Sequence, residues 1–160
     1  MNLDPSAFVA EPELLETLWK HSIALNCAEG RKLFSQGDDP TGLFLLILGE
    51  ATMILEDERG TPLMLTPMAP GSLLGLPAMV SEMPYSMTAM AGKGAKVGFI
   101  TRDEFSSLML SEPLLALMIV RVLAAEVRTT RVAFSEAISE RPTAPRRRRP
   151  RKVSMQGSRS

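Results

Sequence analysis

The sequence has 160 residues, 45% of them apolar and 22% charged, with a formal net charge of zero. This length suffices for one domain with a hydrophobic core and excludes two full domains. Because it has neither a run of about 18 apolar residues nor a basic N-terminus followed by an apolar segment, we expect no membrane span, no signal peptide and a cytoplasmic location.

Cys27 is the only cysteine and His21 the only histidine. An intrachain disulfide and a four-cysteine iron–sulfur cluster are therefore excluded. Either residue has the chemistry to bind a haem iron, but a lone residue between a helix and a strand usually serves packing. We therefore assign both a structural role and predict no metal site. One histidine and one cysteine also provide no nucleophile–base pair, so we predict no catalytic residues and no enzymatic activity.

Residues 12–25 are predicted to form an N-terminal helix. Glu13 and Glu16 suit the positive end of the helix dipole, and apolar side chains recur at spacings of three and four residues. The stripe consists of Leu14, Leu15, Leu18, Trp19 and Ser22. We expect Trp19 to fill a groove against the rest of the domain rather than to stack on a ligand.

Residues 28–100 are predicted to form an antiparallel β-roll. Gly or Pro interrupts short apolar segments every eight to twelve residues, which suits a double-stranded β-helix of the jelly-roll kind. Residues 58–61 are typical of a hairpin turn in which Gly60 has a positive φ, between strands at 51–55 and 62–66. With the flanking helices, the predicted fold class is α+β.

Four motifs with spaced glycines connect this region to a known family. They are Leu33-Phe34-Ser35-Gln36-Gly37-Asp38, residues 44–50, residues 69–75, and residues 75–89, which we call the cassette. The region from Phe34 to Arg131 resembles the cyclic-nucleotide-binding domains of catabolite-activator and Fnr-type regulators. The resemblance implies a small barrel in which a glycine-led turn and the start of a short helix face the phosphate of the ligand.

Two charged residues that this family uses are replaced in the cassette. The resemblance places Leu76 where a glutamate holds the ribose hydroxyl and Tyr85 where an arginine pairs with the phosphate. Ser86 is retained, and Met87 replaces a small alanine. Because a hydrogen bond to a charged group contributes roughly 1.5–3 kcal/mol, losing both weakens binding by orders of magnitude. We therefore predict weak or absent cyclic AMP binding and no other cofactor.

The resemblance assigns ligand binding to the cassette and to one helical residue. These positions are Gly75, Leu76, Pro77, Ala78, Tyr85, Ser86, Met87 and Thr130. Two outcomes remain open for such a degenerate site. In one, Ser86 and the helix amides hold a weaker anion or a carboxylate. In the other, Tyr85 and Met87 fill the pocket and nothing binds.

The C-terminal part is predicted to contain a short helix over 101–110 and a long helix over 112–140. Thr101 followed three residues later by Glu104 is a capping-box pattern. Pro113 suits the first turn of the long helix, and Pro142 ends it.

The long helix carries two apolar stripes, one of which has the alternating four-three spacing of a two-stranded coiled coil. This stripe predicts a parallel homodimer, while the other covers the barrel. The dimer seam comprises Val120, Leu123, Val127, Thr130 and Phe134, and the second stripe comprises Leu115, Met118, Ile119 and Val122. The alternative is one broad face folded onto the barrel, which would leave Val127 and Phe134 exposed because a helix of about 40 Å extends past so small a barrel.

Thr130 lies on the seam where the family places a hydroxyl that contacts the adenine ring, so the resemblance implies a ligand contact there. The alternative is a hydrogen bond to the carbonyl four residues earlier, which threonine commonly makes in helices. Both interpretations remain open at this stage.

Residues 141–160 form an Arg-rich tail that is predicted to be disordered. It carries seven arginines, one lysine and no acidic residue, which leaves 10 of the 18 basic residues against all 18 acidic ones in residues 1–140. The candidates for contacting nucleic acid phosphates or acidic lipid are Arg146, Arg147, Arg148, Arg149, Arg151 and Lys152. The alternatives are contact with the acidic domain or a contribution to solubility.

Together these features predict a non-catalytic, dimeric sensor or regulatory module of the cyclic-nucleotide-binding type over residues 1–140. Its partners would be a second copy and a small anionic or nucleotide ligand. We expect no winged-helix domain after the dimer helix. The alternative is a protein similar to the catabolite-activator and Fnr-type transcription regulators, in which the basic tail or a partner protein supplies the DNA contact.

Overall fold

The computed structural model describes residues 3–142. Its α-helices are α1 (Pro12–Lys20), α2 (Leu76–Ser81), α3 (Arg102–Ser111) and α4 (Pro113–Ser139), and a 3₁₀ helix spans Pro5–Phe8. The strands are β1 (Ile23–Leu25), β2 (Arg31–Phe34), β3 (Gly42–Leu48), β4 (Ala51–Glu56), β5 (Pro62–Met68), β6 (Leu73–Leu74), β7 (Thr88–Ala91) and β8 (Lys96–Thr101).

The strands form two antiparallel sheets with the orders β1-β8-β3-β6 and β2-β7-β4-β5. Strands distant in sequence, such as β1 and β8, are neighbours, as expected when a chain is rolled into a jelly-roll. The predicted β-roll and the α+β class are confirmed. The hairpin between β4 and β5 also forms, and Gly60 in its turn has a φ of 78°.

Strand β3 separates two hydrophobic clusters because successive side chains point to opposite faces of a sheet. Leu43 and Leu45 pack against the helices, in the cluster that also contains residues of α1, α3 and α4. Phe44 and Leu46 point the other way, into the cluster enclosed by the two sheets. The near-continuous apolar sequence of β3 therefore reflects burial on both faces.

The predicted N-terminal helix over 12–25 is too long, because α1 ends at Lys20 and residues 23–25 form β1. The Ser22 hydroxyl donates to the carbonyl of Trp19 at 2.7 Å, which satisfies a group at the end of the helix. Ile23 then pairs with Phe99 of β8. Strand pairing with a distant segment overrides the local helical pattern, and the roll begins before residue 28.

Trp19 packs against the roll at Gly98, as the sequence predicts. A Cβ atom at Gly98 would lie 2.8 Å from Cζ3 of Trp19, so the ring occupies space that only glycine leaves free. The Lys96 ammonium lies 4.8 Å from the centre of the Trp19 ring, within the range of a cation–π contact. This contact anchors α1 on the outer face of the first sheet.

The two C-terminal helices follow β8 directly. The Thr101 hydroxyl accepts a hydrogen bond from the Glu104 N–H at 3.3 Å, so Thr101 caps α3 as the sequence predicts. The predicted covering stripe of α4 lies against the core: Leu115, Ile119 and Val122 are buried, and Met118 packs beside them. The predicted cluster of Arg146, Arg147, Arg148, Arg149, Arg151 and Lys152 lies outside the described residues.

Candidate ligand-binding site

A cavity of about 290 Å³ lies between the inner face of the roll, the cassette and the middle of α4. The strands contribute Phe34, Met53, Leu55, Met64, Thr66, Met68, Leu73 and Leu74; the cassette contributes Gly75, Pro77, Ala78, Tyr85, Ser86 and Met87; Glu126 and Thr130 come from α4, and Leu3 and Phe8 from the N-terminus. Seven of the eight sequence-predicted ligand residues therefore border one space.

Leu76 is the exception among the predicted residues. It is fully buried in the cluster between the helices and the first sheet, and it does not border the cavity. The position that the resemblance assigned to a ribose-binding carboxylate thus belongs to the hydrophobic core. The next residue, Pro77, lies in the first turn of α2 and has no N–H to offer a ligand.

Gly75 precedes α2 in the left-handed conformation, with a φ of 87°. A Cβ atom at this position would lie 2.8 Å from Cε1 of Tyr85 and 3.3 Å from Cε1 of Phe34. Glycine is therefore required here both for the backbone conformation and for the close approach of two aromatic rings.

Tyr85 occupies the cassette position of the phosphate-binding arginine, and its side chain has a structural role. It is only 2% exposed, and its ring stacks on Phe34 with centroids 3.9 Å apart. Its hydroxyl donates to the Gly42 carbonyl at 2.7 Å and accepts from the N–H groups of Thr41 at 3.1 Å and Gly42 at 3.2 Å. The hydroxyl thus joins the cassette to the start of β3, and no hydrogen remains on it for a ligand.

Ser86 and Met87 follow Tyr85 and border the cavity, with Ser86 exposed and Met87 half-buried. A cavity of about 290 Å³ remains with Met87 on its lining, so the Met87 side chain does not fill it.

Glu126 is the only acidic residue on the cavity lining, and no Lys, Arg or His is found among the described lining residues. Loss of solvent around the half-buried Glu126 carboxyl raises its pKa to about 7. The described lining thus carries no basic side chain and contains a group that becomes negative near neutral pH.

Thr66 is the second polar group of interest on the lining. It is 2% exposed, and its hydroxyl has no hydrogen-bond partner among the described residues. Buried hydroxyl groups nearly always have a partner, so Thr66, which borders the cavity, carries an unused hydrogen-bonding group.

Thr130 makes the hydrogen bond within its own helix that was one of the two interpretations of its sequence position, and it also borders the cavity. Its hydroxyl donates to the Glu126 carbonyl at 2.9 Å, and its side chain is part of the lining. The oxygen of Thr130 remains able to accept a hydrogen bond.

Glu126, Thr66 and the methionines of the roll were not found by sequence reasoning. Glu126 lies one helical turn before Thr130, so helical spacing was an available signal. Met64, Thr66 and Met68 are two residues apart along β5 and therefore share one face of the strand. Strand periodicity predicts that Thr66 borders the cavity once that face is known to be the inner one. No local signal predicts that the N-terminal residues Leu3 and Phe8 reach the cavity.

The predicted dimer seam is largely exposed in the single chain. Val120, Val127 and Phe134 are 58%, 49% and 59% exposed, and Leu123 is half-buried. A shallow groove on this side of α4 is bordered by Val120, Leu123, Ala124, Val127, Arg128, Arg131 and Val132.

The single His and Cys lie away from the cavity. His21 Nδ1 is 2.7 Å from a carboxylate oxygen of Glu104, and buried Cys27 has a raised pKa because it is desolvated. Within residues 3–142, no group of three His, Cys, Asp or Glu side chains is placed to hold a metal ion.

In the same range no single helix has the length and apolar character to cross a membrane, although α3 and α4, bent by 114°, meet that test as a pair.

A family model of the cyclic nucleotide-binding domain matches residues 24–112, more than half of the chain. This chain therefore belongs to the cyclic nucleotide-binding domain family, and the resemblance carried by the four motifs is confirmed. Among the curated proteins, none matches the sequence.

Solved structures share the fold. The catabolite activator protein of Thermus thermophilus is 21% identical with a TM-score of 0.68, over 84% of this chain and 63% of that one. The N-terminal domain of a transcriptional regulator from Streptomyces coelicolor A3(2) is 22% identical with a TM-score of 0.58, over 78% of this chain and 87% of that one. Oxidized CprK in complex with o-chlorophenolacetic acid is 16% identical with a TM-score of 0.66, over 82% of this chain and 55% of that one.

Proposed function

We propose that this chain is a non-catalytic, dimeric sensor module whose cavity has lost high-affinity binding of cyclic AMP. The observation that carries the proposal is the charge of the cavity. Its described lining includes the Glu126 carboxyl and no basic side chain. A cyclic nucleotide brings a phosphodiester anion, which such a lining repels rather than neutralises.

The two replaced cassette residues cannot compensate. The Tyr85 hydroxyl is fully used by the backbone of Thr41 and Gly42, and Leu76 faces the core instead of the ligand. Two missing charged hydrogen bonds, at roughly 1.5–3 kcal/mol each, correspond to a loss of about a hundredfold to ten-thousandfold in affinity. We therefore expect the dissociation constant for cyclic AMP to be millimolar or weaker.

Dimerisation through α4 is the second part of the proposal. An exposed stripe of Val120, Val127 and Phe134 at coiled-coil spacing favours a parallel pair of α4 helices. On the same helix Thr130, which belongs to this stripe, and Glu126, one position before Val127, border the cavity. A ligand that contacts these residues would favour one arrangement of the paired helices over another, which is how a sensor converts occupancy into a signal.

Thermal unfolding of the full chain with cyclic AMP, cyclic GMP or adenosine tests the proposal. A ligand present at its dissociation constant stabilises by only about 0.4 kcal/mol, so about 1 mM of any of the three should leave the Tm almost unchanged. Adenosine is the matched control because it lacks the phosphate. A clear increase in Tm with a cyclic nucleotide but not with adenosine would show that the phosphate is recognised and would contradict the proposal.

As a second candidate function, we propose non-specific DNA contact by the basic tail, as in a transcription regulator. The density of arginine over residues 146–152 favours it. Fluorescence anisotropy with a DNA duplex between about 50 and 200 mM salt should show affinity that falls steeply with salt. Replacement of Arg146, Arg147, Arg148 and Arg149 by Gln should flatten that slope. Unchanged binding by the variant would exclude the tail as the DNA contact.

A further inference from the structure

The cavity has the size and wall chemistry of a small-ligand site. Its volume of about 290 Å³ is near the lower end of the roughly 300–1,000 Å³ typical of ligand pockets. The walls are mainly apolar, and 7 of the 18 lining residues carry an aromatic ring or a flexible thioether, namely Phe8, Phe34, Tyr85, Met53, Met64, Met68 and Met87. Such walls favour a ligand with a compact apolar group, because flexible methionine side chains adapt to the shape of that group.

Two polar groups in these walls lack a partner among the described residues: one lacks a hydrogen bond and the other lacks a counterion. The Thr66 hydroxyl is buried without a hydrogen bond among the described residues. The Glu126 carboxyl borders the same cavity, and the described lining contains no cation to pair with it. Leaving such groups unpaired costs free energy, which a ligand of matching chemistry would recover.

Building on the function proposed above, we infer that the cavity binds a compact apolar ammonium compound, with Glu126 as its counterion and the Thr66 hydroxyl as a hydrogen-bond acceptor. An ammonium group has hydrogens to donate and no lone pair, so it matches a carboxylate and a hydroxyl oxygen. The oxygen of Thr130, beside Glu126 on α4, offers another acceptor. The faces of the aromatic residues on the lining also attract cations.

A carboxylate ligand fits the same groups less well. It would place a second negative charge near Glu126 with no basic side chain on the described lining to offset it. A neutral alcohol would bond to Thr66 but would leave Glu126 without a counterion. Of the three chemical classes, only the cation balances the charge of the cavity.

Within residues 3–142, no charged side chain forms an ion pair with Glu126. Loss of solvent alone raises its pKa. The 3₁₀ helix that packs on α4 brings Asp4, whose carboxylate accepts from the Ser6 N–H and hydroxyl at 3.0 and 2.8 Å. On α3, Arg102 pairs with Glu82, Glu104 pairs with His21, and Asp103 is exposed. The neighbours of Glu126 one turn away on α4 are Val122, Leu123, Thr129 and Thr130, and the cavity side of the roll adds only the phenol of Tyr85.

Binding of an ammonium compound should therefore depend on the ionisation of Glu126. A primary amine with a pKa of about 10, like that of lysine, stays charged between about pH 6 and pH 8. Glu126, with a pKa of about 7, changes from mostly neutral to mostly ionised over that interval. The dissociation constant should consequently rise about tenfold as the pH falls from about 8 to about 6.

The test uses three probes of nearly equal size: 3-phenylpropylamine, 3-phenylpropan-1-ol and 3-phenylpropanoate. Each is titrated calorimetrically into the full chain at about pH 6 and pH 8. The wild type is compared with Glu126→Gln, Thr66→Val and the matched control Glu136→Gln, which removes an exposed carboxylate from the same helix. Thermal unfolding verifies that each variant is folded.

We expect the amine to bind most tightly, with the tenfold pH dependence. Glu126→Gln should abolish the pH dependence and reduce the affinity for the amine to that for the alcohol. Thr66→Val should weaken binding of the amine and of the alcohol. Glu136→Gln should leave the affinities for the amine and the alcohol unchanged. The inference is overturned if the amine binds no better than the alcohol at about pH 8, if the carboxylate binds best, or if no probe binds. The proposed loss of cyclic AMP binding is tested separately by thermal unfolding with cyclic nucleotides, and the proposed dimer by its mass, so failure of this inference is distinguishable from failure of the proposed function.

Discussion

The hydroxyl of Tyr85 donates a hydrogen bond to the carbonyl of Gly42 at a distance of 2.7 Å. The bond connects residues 43 positions apart and is buried. It fixes the end of the cassette to the beginning of β3, next to the cavity. The residue at the position that the resemblance assigns to a phosphate-binding arginine therefore stabilises the wall of the cavity.

Replacing Tyr85 with Phe should destabilise the fold by about 1–3 kcal/mol, because the buried carbonyl of Gly42 and the nearby N–H groups would lose a partner. Urea unfolding measures the change. Ser86→Ala, one residue away and exposed, is the control and should change stability by less than about 0.5 kcal/mol. A Tyr85→Phe variant as stable as the wild type would show that these hydrogen bonds contribute nothing to stability.

Restoring both charged cassette residues should not restore nucleotide binding. In the double variant Leu76→Glu/Tyr85→Arg, a carboxylate would enter a fully buried core position and a guanidinium would replace a ring stacked on Phe34. We expect a loss of stability of more than about 3 kcal/mol, measured by urea unfolding. Calorimetry should detect no cyclic AMP binding. A folded double variant that binds cyclic AMP would mean that both side chains are free to turn toward the cavity.

The sequence predicts the β-roll but not the directions of the Leu76 and Tyr85 side chains. The two kinds of feature have different physical causes. The spaced glycines and short apolar segments report backbone turns, which local chemistry decides. Leu76 packs in a cluster built from β3 and from α1, α3 and α4, and the bond from Tyr85 reaches the start of β3, so both directions are set by segments distant in sequence. The end of α1 at Lys20 is likewise decided by a distant segment, because Ile23 pairs with Phe99.

Gly75 and Gly60 make a matched pair for measuring the close contact beside the cavity. Both have positive φ, 87° and 78°, so alanine at either site carries a backbone cost of about 1 kcal/mol. Only at Gly75 would the new methyl group meet a ring, whereas nothing lies within 4 Å of it at Gly60. We expect Gly75→Ala to lose about 1–3 kcal/mol more stability than Gly60→Ala in urea unfolding. Equal losses would show that Tyr85 moves aside without cost.

Glutamate at Val127 and Phe134 should convert the proposed dimer to a monomer. The two side chains are exposed on the seam, and two like charges facing their copies across a coiled coil oppose association. Light scattering at a fixed protein concentration measures the mass. Ser135→Glu, one position away and exposed, should stay dimeric. A dimer that survives both seam substitutions would place the interface elsewhere on the molecule.

Glu126 should make the wild type less stable as the pH rises through the interval between its two pKa values. Its pKa is about 7 in the folded chain and about 4.5 without the fold, so the folded state binds more protons over this range. Stability then falls with rising pH, and the loss is complete above about pH 7. At about pH 4 or below, the carboxyl is protonated in both states and the penalty is absent.

Glu126→Gln should therefore be about as stable as the wild type near pH 4 and more stable by roughly 1–3 kcal/mol near pH 8, a range that allows for the partial exposure of the carboxyl. Urea unfolding at both pH values measures the difference in stability between the variant and the wild type. The protein concentration is held constant because association adds to stability. Glu136→Gln, whose carboxylate is exposed, should show the same difference from the wild type at both pH values. A stability gain for Glu126→Gln that does not grow with pH would mean that the carboxyl is ionised in the folded chain and already has a counterion. Such a counterion would also remove the reason for an ammonium ligand, so the stability measurement and the calorimetric titration must agree.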